Sequence, residues 1–279
     1  MKGLAAANYI WSRRILAGVK LNSKGKAWAA LAIVIILALT GAVIAWFSRQ
    51  DAGNTPPAST KVAEAAAKKP APAASAFDFY LMALTVHSAF CDDGHARERE
   101  CRAAVHRPLV IHGLWPERNA PRTYPHDCPV PPLELDSALA LQLADYMPGM
   151  ADGLHEHEWR EHGGCSGLDD DEYFRQALEL ARGIDAALGA KLATLAGEET
   201  TATELREIAD LFHPGLGATL TFHCRVLRDA NSTQPHLIEV RQCVDNDGTN
   251  GAPGTPLDCA AVKRRDQGCG QHFRIAGSR

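Results

Sequence analysis

Ile111-His112-Gly113-Leu114-Trp115-Pro116 and His155-Glu156-His157-Glu158-Trp159-Arg160-Glu161-His162-Gly163-Gly164-Cys165 are the two stretches on which the reading of this chain turns. The first sets a histidine at the end of an apolar run, Pro108 to Ile111, which Gly113 and Pro116 are expected to stop as a strand. The second reads as a short helix closed by Gly163 and Gly164. On that helix Glu158 and His162, four apart, share a face. His157 and His162, five apart, point about 140° away from each other. A zincin pair needs histidines four apart on one face, so that motif is excluded. A zinc site built from His155, His157 and a third ligand stays open. The remaining histidines, His87, His95, His106, His126, His213, His223, His236 and His272, read singly as core or surface residues without chemistry.

Outward from these segments the chain reads as an α+β domain over residues 77–279. Phe77 to Val86 is a candidate buried strand. Leu133 to Tyr146 has helical spacing, as does Glu172 to Leu188, which follows the acidic run Asp169-Asp170-Asp171 suited to a helix N-terminus. Thr203 to Phe212 reads as a third helix capped by Thr203. Ala218 to Val226 reads as a strand with Leu220, Phe222, Cys224 and Val226 on one face, and Leu237 to Val244 as another strand.

All eight cysteines, Cys91, Cys101, Cys128, Cys165, Cys224, Cys243, Cys259 and Cys269, lie in that domain, and none forms a C-x-x-C pair. An even count without a zinc spacing indicates four disulfides and an oxidising compartment. Charge is divided unevenly. Residues 1–76 hold 10 Lys and Arg against 2 Asp and Glu, a balance of +8, whereas residues 77–279 hold 19 against 31, a balance of −12. An acidic domain excludes general attraction to a polyanion, so any contact with nucleic acid must be local.

The N-terminal part is organised differently. Ala27 to Phe47 is a 21-residue run without a charge, long enough at roughly 31 Å to cross a bilayer as a helix. Trp28, Trp46 and Phe47 mark its ends, and Arg13, Arg14, Lys20, Lys24 and Lys26 precede it. That pattern predicts a cytoplasmic basic segment (1–26), a transmembrane signal anchor (27–47) and an exported C-terminal domain. Cleavage of the segment as a signal peptide, giving a secreted protein, is the alternative, although its apolar run is longer than is usual for one. Residues 48–76, rich in Ala, Ser, Thr, Lys and Pro, read as a linker.

The two histidine segments, in order and with the cysteines placed around them, resemble the active-site segments of the ribonuclease T2 family. The resemblance runs from about Phe77 to about Phe273 and takes in Ala83-Leu84-Thr85-Val86-His87-Ser88-Ala89-Phe90-Cys91 and Tyr124-Pro125-His126-Asp127-Cys128. It implies an α+β fold around a central antiparallel sheet. It also implies an endoribonuclease that needs neither cofactor nor metal, takes single-stranded RNA and leaves DNA intact for want of a 2′-hydroxyl. Carried over by position, His162 is the general base, His112 the general acid, His157 a phosphate ligand, Glu158 a stabiliser of the transition state and Trp115 a substrate contact. Two histidines suit the acid and base steps because imidazole titrates near the working pH. The implied disulfides are Cys91–Cys101, Cys128–Cys165, Cys224–Cys269 and Cys243–Cys259; the sequence alone leaves on the order of a hundred pairings.

Three positions depart from the family pattern. Glu161 stands where the family usually has Lys, Gly164 where it usually has Thr, and Val86 where it often has Trp. Glu158 and Glu161, three apart on a helix, are expected to lie together and to raise one carboxylate's pKa. Arg160, about 100° round the helix, is the nearest replacement cation. A non-catalytic RNA-binding or interaction domain on the same fold is the alternative that Glu161 raises. The basic flank makes topology testable. An alkaline phosphatase, active only outside the cytoplasm, fused after Arg279 should be active, whereas a cytoplasm-dependent reporter at the same point should be silent. The opposite result would overturn the assigned orientation.

Overall fold

The computed structural model describes residues 71, 74–103, 107–120, 124–228, 233–246, 248 and 251–277. The basic segment, the apolar run 27–47 and nearly all of the linker lie outside the described residues. Among the described residues no helix is long and apolar enough to cross a membrane.

The order of elements is β1 (Phe79–Val86), the one-turn helices α1 (His87–Phe90) and α2 (Arg99–Arg102), β2 (Leu109–Glu117), α3 (Ser137–Tyr146), α4 (Leu154–Glu161), α5 (Asp170–Ile184), α6 (Ala190–Thr194), the two-residue β3 (Glu199–Thr200), α7 (Ala202–Phe212), β4 (Leu220–Arg225), β5 (His236–Asp245) and β6 (Phe273–Arg274). The sheet runs β2-β1-β5-β6-β3, with β4 also paired to β5. Its long pairings are antiparallel, and β5 meets β6 in parallel at His236 and Arg274.

Alternation along β1 gives the sheet two different faces. Tyr80, Met82, Leu84 and Val86 join the main core with Phe174, Leu178 and Leu188 from the helices. Phe79 and Leu81 face the other way and pack with Cys243, Cys259, Val262 and Trp115. The second face carries the polar row described below.

Two register shifts shape that face. Between Ala83 and Leu84 the partners on β2 jump from Gly113 to Ile111, so His112 is an extra, unpaired residue. Between His223 and Cys224 the partners on β5 jump from Glu239 to Leu237, leaving Ile238 extra. Bulges of this kind re-aim side chains.

Several boundaries differ from the sequence expectation. β2 does not stop at Gly113 or Pro116 but continues to Glu117, because β2 ends the sheet path and proline is tolerated on an edge strand. α3 begins at Ser137 rather than Leu133, since the Asp136 carboxylate caps the amides of Ala138 and Leu139. The backbone of 134–136 is instead tied to the acidic run, with Glu134 N–H donating to Asp170 and Asp136 N–H to Asp171. Thr201, not Thr203, caps α7 by accepting from the Glu204 amide. β4 ends at Arg225, and Val226 is half exposed rather than on the core face. Gly163 and Gly164 form a 3-10 turn and are not left-handed caps. A Cβ at Gly163 would strike the Trp159 ring, and one at Gly164 would strike Val130 and the Cys128 carbonyl.

The four disulfides join Cys91 to Cys101, Cys128 to Cys165, Cys224 to Cys269 and Cys243 to Cys259, the pairs that the resemblance implies. Cys128–Cys165 closes the loop that leads back to α4, and the Asp127 amide donates to the Glu161 carbonyl beside it at 3.0 Å. Loss of one such bridge from a small secreted domain costs about 2–5 kcal/mol. Cys128→Ser should therefore lower the melting temperature and, by freeing the turn that follows His162, reduce activity at temperatures where the variant is still folded. An unchanged melting temperature would mean that the bridge constrains nothing.

Candidate active site

The site begins with the buried carboxylate of Glu158 on α4. It accepts the Trp115 indole N–H at 2.8 Å, through space that exists because residue 113 is glycine. A Cβ at Gly113 would overlap both Glu158 Oε2 and Trp115 Nε1. This bond docks α4 against β2 and brings the two histidine segments together. His112 and His162 then flank one indole, with ring centroids 5.0 Å and 5.5 Å from that of Trp115. The second oxygen of Glu158 lies 3.9 Å from His112 Nε2. Burial raises the Glu158 pKa, opposed by His112, by the Trp115 bond and by His157; Glu161 contributes only a minor upward push.

His112, aimed by its bulge, reaches over β1 to β5. Its Nδ1 lies 2.7 Å from Glu239 Oε1. The carboxylate can only accept, so Nδ1 carries the hydrogen and Nε2 faces the site. Burial pulls the His112 pKa down, but the hydrogen bond and charge of Glu239, with the charge of Glu158, outweigh it and leave the pKa raised above the ordinary 6.5. Burial alone would raise Glu239, yet His112 and Arg241 hold it at about 2. The other Glu239 oxygen accepts from Arg241 Nε at 2.8 Å, and the Arg241 guanidinium sits 5.2 Å over the Trp115 ring.

His162 is placed in the opposite setting. It is the C-cap of α4 and leaves helical geometry with φ −125° and ψ −48°, so its ring is not simply on the Glu158 face. It lies between Trp115 and Tyr124, 5.9 Å from the latter, and its Nδ1 is buried without a hydrogen-bond partner among the described residues. Burial, then the nearby His112, His157 and His126, push its pKa down to about 4.

A cleft of about 640 Å³ opens on the His112 side, lined by His112, His157, His223, Glu239 and Arg241 and extending to Phe90 and His95; His162 and Trp115 are not part of its lining. His157 is exposed at its rim. His223, read from sequence as without chemistry, has Nδ1 3.9 Å from Glu239, and burial followed by Arg241 lowers its pKa to about 4.

The expected pairing of Glu158 with Glu161 over a phosphate is not what the structure has. The Glu161 carboxylate turns toward His126, 4.0 Å away, which itself bonds Asp127 at 2.9 Å. Glu158 is shifted chiefly by its own burial. Arg160 is exposed and does not line the cleft. His155 and His157 meet no third metal-binding side chain among the described residues.

Glu239, Arg241 and His223 were missed from sequence. Alternating polar residues in a strand look like a solvated face, and only the register across β1 shows that Glu239 and Arg241 share a face with His112. The signal in the sequence is a Glu-x-Arg pair, Glu239 and Arg241, set among Leu237, Ile238, Val240, Cys243 and Val244.

The profile of the Ribonuclease T2 family matches residues 77–259. A ribonuclease of Aeromonas hydrophila is 35% identical over 107 residues, 38% of this chain and 46% of that relative, so the match spans less than half of its length. Ribonuclease 1 of Arabidopsis thaliana is 29% identical over 188 residues, 62% of this chain and 78% of the relative. Among solved structures, a variant of bitter gourd RNase MC1 in complex with 5′-GMP superposes with a TM-score of 0.56 at 25% identity, covering 71% of this chain and 100% of that one.

The close fit around Gly113 gives a direct test. Gly113→Ala should break the Trp115–Glu158 bond, which as a hydrogen bond to a charged group contributes about 1.5–3 kcal/mol. Melting temperature and Trp fluorescence should both change; if neither moves, the two segments are not joined by this bond.

Proposed function

This chain belongs to the ribonuclease T2 family, and on that premise we propose that it is an endoribonuclease cleaving single-stranded RNA by acid–base catalysis between His162 and His112. One observation carries the reading: two imidazoles from different elements flank one indole and are polarised in opposite directions. Between the two pKa values His162 is neutral and can take a proton, while His112 is charged and can give one.

In the proposed reaction His162 removes the proton from the 2′-hydroxyl. The 2′-oxygen attacks phosphorus, and His112 Nε2 protonates the departing 5′-oxygen, leaving a 2′,3′-cyclic phosphate. Water then opens the ring with the roles reversed, giving a 3′-phosphate. His157 at the cleft rim binds phosphate, Trp115 holds substrate between the two histidines, and Glu158 orients Trp115 and supports the charge on His112. No step calls on a metal, so cleavage should persist in EDTA. DNA, without the nucleophile, should remain intact. We place the domain outside the cytoplasm, held by the apolar segment 27–47 or released by its cleavage; the four disulfides and the basic flank support that placement.

The sign of the pH dependence follows from the two settings. With a defined dinucleotide, kcat/KM should rise as His162 loses its proton through about 4 and fall as His112 loses its proton above 6.5, giving a plateau on the acidic side of neutral. His112→Ala and His162→Ala should each lose at least about 10²-fold, the low end for a general acid or base, with the fold retained by circular dichroism. Near-normal cleavage by either variant would sink the mechanism.

A further inference from the structure

The phosphate at the centre of this reaction gathers negative charge, and among the described residues the charges that act on His162 are those of His112, His157, His126 and Asp127, with no lysine or arginine among them. Arg160 is exposed away from the cleft, and Glu161 is an anion turned toward His126. The cation is on the other side of the site. Register places Ala83 of β1 between Gly113 of β2 and Arg241 of β5, and Thr85 opposite Glu239. Glu239 and Arg241, two apart on one strand, therefore share the face onto which the bulge turns His112. Ala83 and Gly113 have too little side chain to keep the outer strands' groups apart, so His112 reaches Glu239 across the middle strand.

We propose that Arg241 is the cation that binds the scissile phosphate, and that Glu239 is the positioning residue holding Arg241 and His112 in one array; this rests on the ribonuclease reading above. Arg241 spends Nε and Nη2 on Glu239 Oε2. Its Nη1 has no hydrogen bond to another described residue, and the side chain lines the same cleft as His112 and His157. A guanidinium presents its N–H groups in a rigid fork that matches phosphate oxygens. Stacking over Trp115 and the Glu239 bonds order the long side chain before substrate arrives, so little reorganisation remains for the transition state. Glu239 acts through the other two groups. One oxygen fixes the His112 tautomer, with Nε2 toward the leaving group, and the other fixes the guanidinium.

The groups facing His112 set the signature of this arrangement. Glu239 and Arg241 face it from β5, Glu158 from α4, and His162 from the end of α4, while His157 faces His162 and His223 of β4 faces Glu239. Removing the Arg241 charge should move the alkaline limb of kcat/KM to higher pH. Removing the Glu239 charge should move it to lower pH. A merely structural role for either residue would shift neither limb.

The test uses the full chain with a defined dinucleotide as substrate and a nucleoside 3′-monophosphate as a binding probe. Arg241→Ala should lower kcat by about 10²–10³-fold, as loss of a transition-state donor does. It should weaken the probe at least about tenfold, the loss of one charge-assisted contact. Arg241→Lys should recover part of both. Arg241→Gln, which keeps most of the side-chain stem, should behave like Arg241→Ala and covers the case in which the alanine variant unfolds. Glu239→Gln should move the alkaline limb down and cost kcat at neutral pH more than at acidic pH. Folded Arg241→Gln with wild-type turnover and wild-type probe binding would overturn the assignment. So would limbs that stay in place in Arg241→Gln and Glu239→Gln. A wild type that binds the probe through Arg241 yet cleaves no RNA would instead strike the ribonuclease reading and leave the phosphate site standing.

Discussion

Everything in the site hangs from the hydrogen bond between the Trp115 indole and the buried Glu158 carboxylate. Burying a carboxylate is costly unless it is paired, and here it is satisfied by the residue whose indole also packs against the imidazoles of His112 and His162. The bond needs the missing Cβ of Gly113, which is why strand β2 carries a glycine where a core strand would ordinarily carry a branched residue. The C-terminal end of α4 is held as well by the Cys128–Cys165 disulfide and by the backbone bond from Asp127 to Glu161. His162 lies between these two restraints, at the point where the helix ends and the chain turns.

Electrostatics then divide the labour. The domain as a whole is acidic, with a balance of −12 over residues 77–279, so long-range attraction for RNA is absent and screening at physiological salt shortens what remains. Positive character is concentrated instead. His112 draws it from Glu239, whose other oxygen holds Arg241 through Nε and Nη2. His162 is treated the other way, its charge disfavoured by burial and by neighbouring imidazoles. In the proposed reaction one sheet face thus supplies the proton donor and a cation, while the helix end supplies the proton acceptor.

Much of this was legible before the fold was known, and the residues that were not share a reason. His112, Trp115, His157, Glu158 and His162 are carried by two short contiguous segments, and helical spacing alone places Glu158 near the end that His162 caps. β1, α5 and β5 follow from local apolar periodicity. By contrast, Glu239 lies 127 residues from His112, and nothing local relates them. Their meeting depends on a bulge and on two strand registers, which sequence periodicity does not encode. Gly113 and Pro116 misled as strand breakers because their tolerance comes from Glu158 packing and from an edge position, both tertiary. Thr201 rather than Thr203 caps α7 for a finer reason: the cap must lie three residues before Glu204, whose amide it accepts. Glu161 misled because helical spacing fixes where a carboxylate starts and not where its side chain turns.

The central claim is that His112 and His162 are held at opposite ends of the imidazole range by Glu239 on one side and by burial on the other. An NMR titration of the imidazole resonances, assigned with His112→Gln and His162→Gln, measures this without any substrate. The account predicts that His162 titrates at about 4 and His112 above 6.5. Resonances that titrate together near 6.5, or in the reverse order, would contradict it.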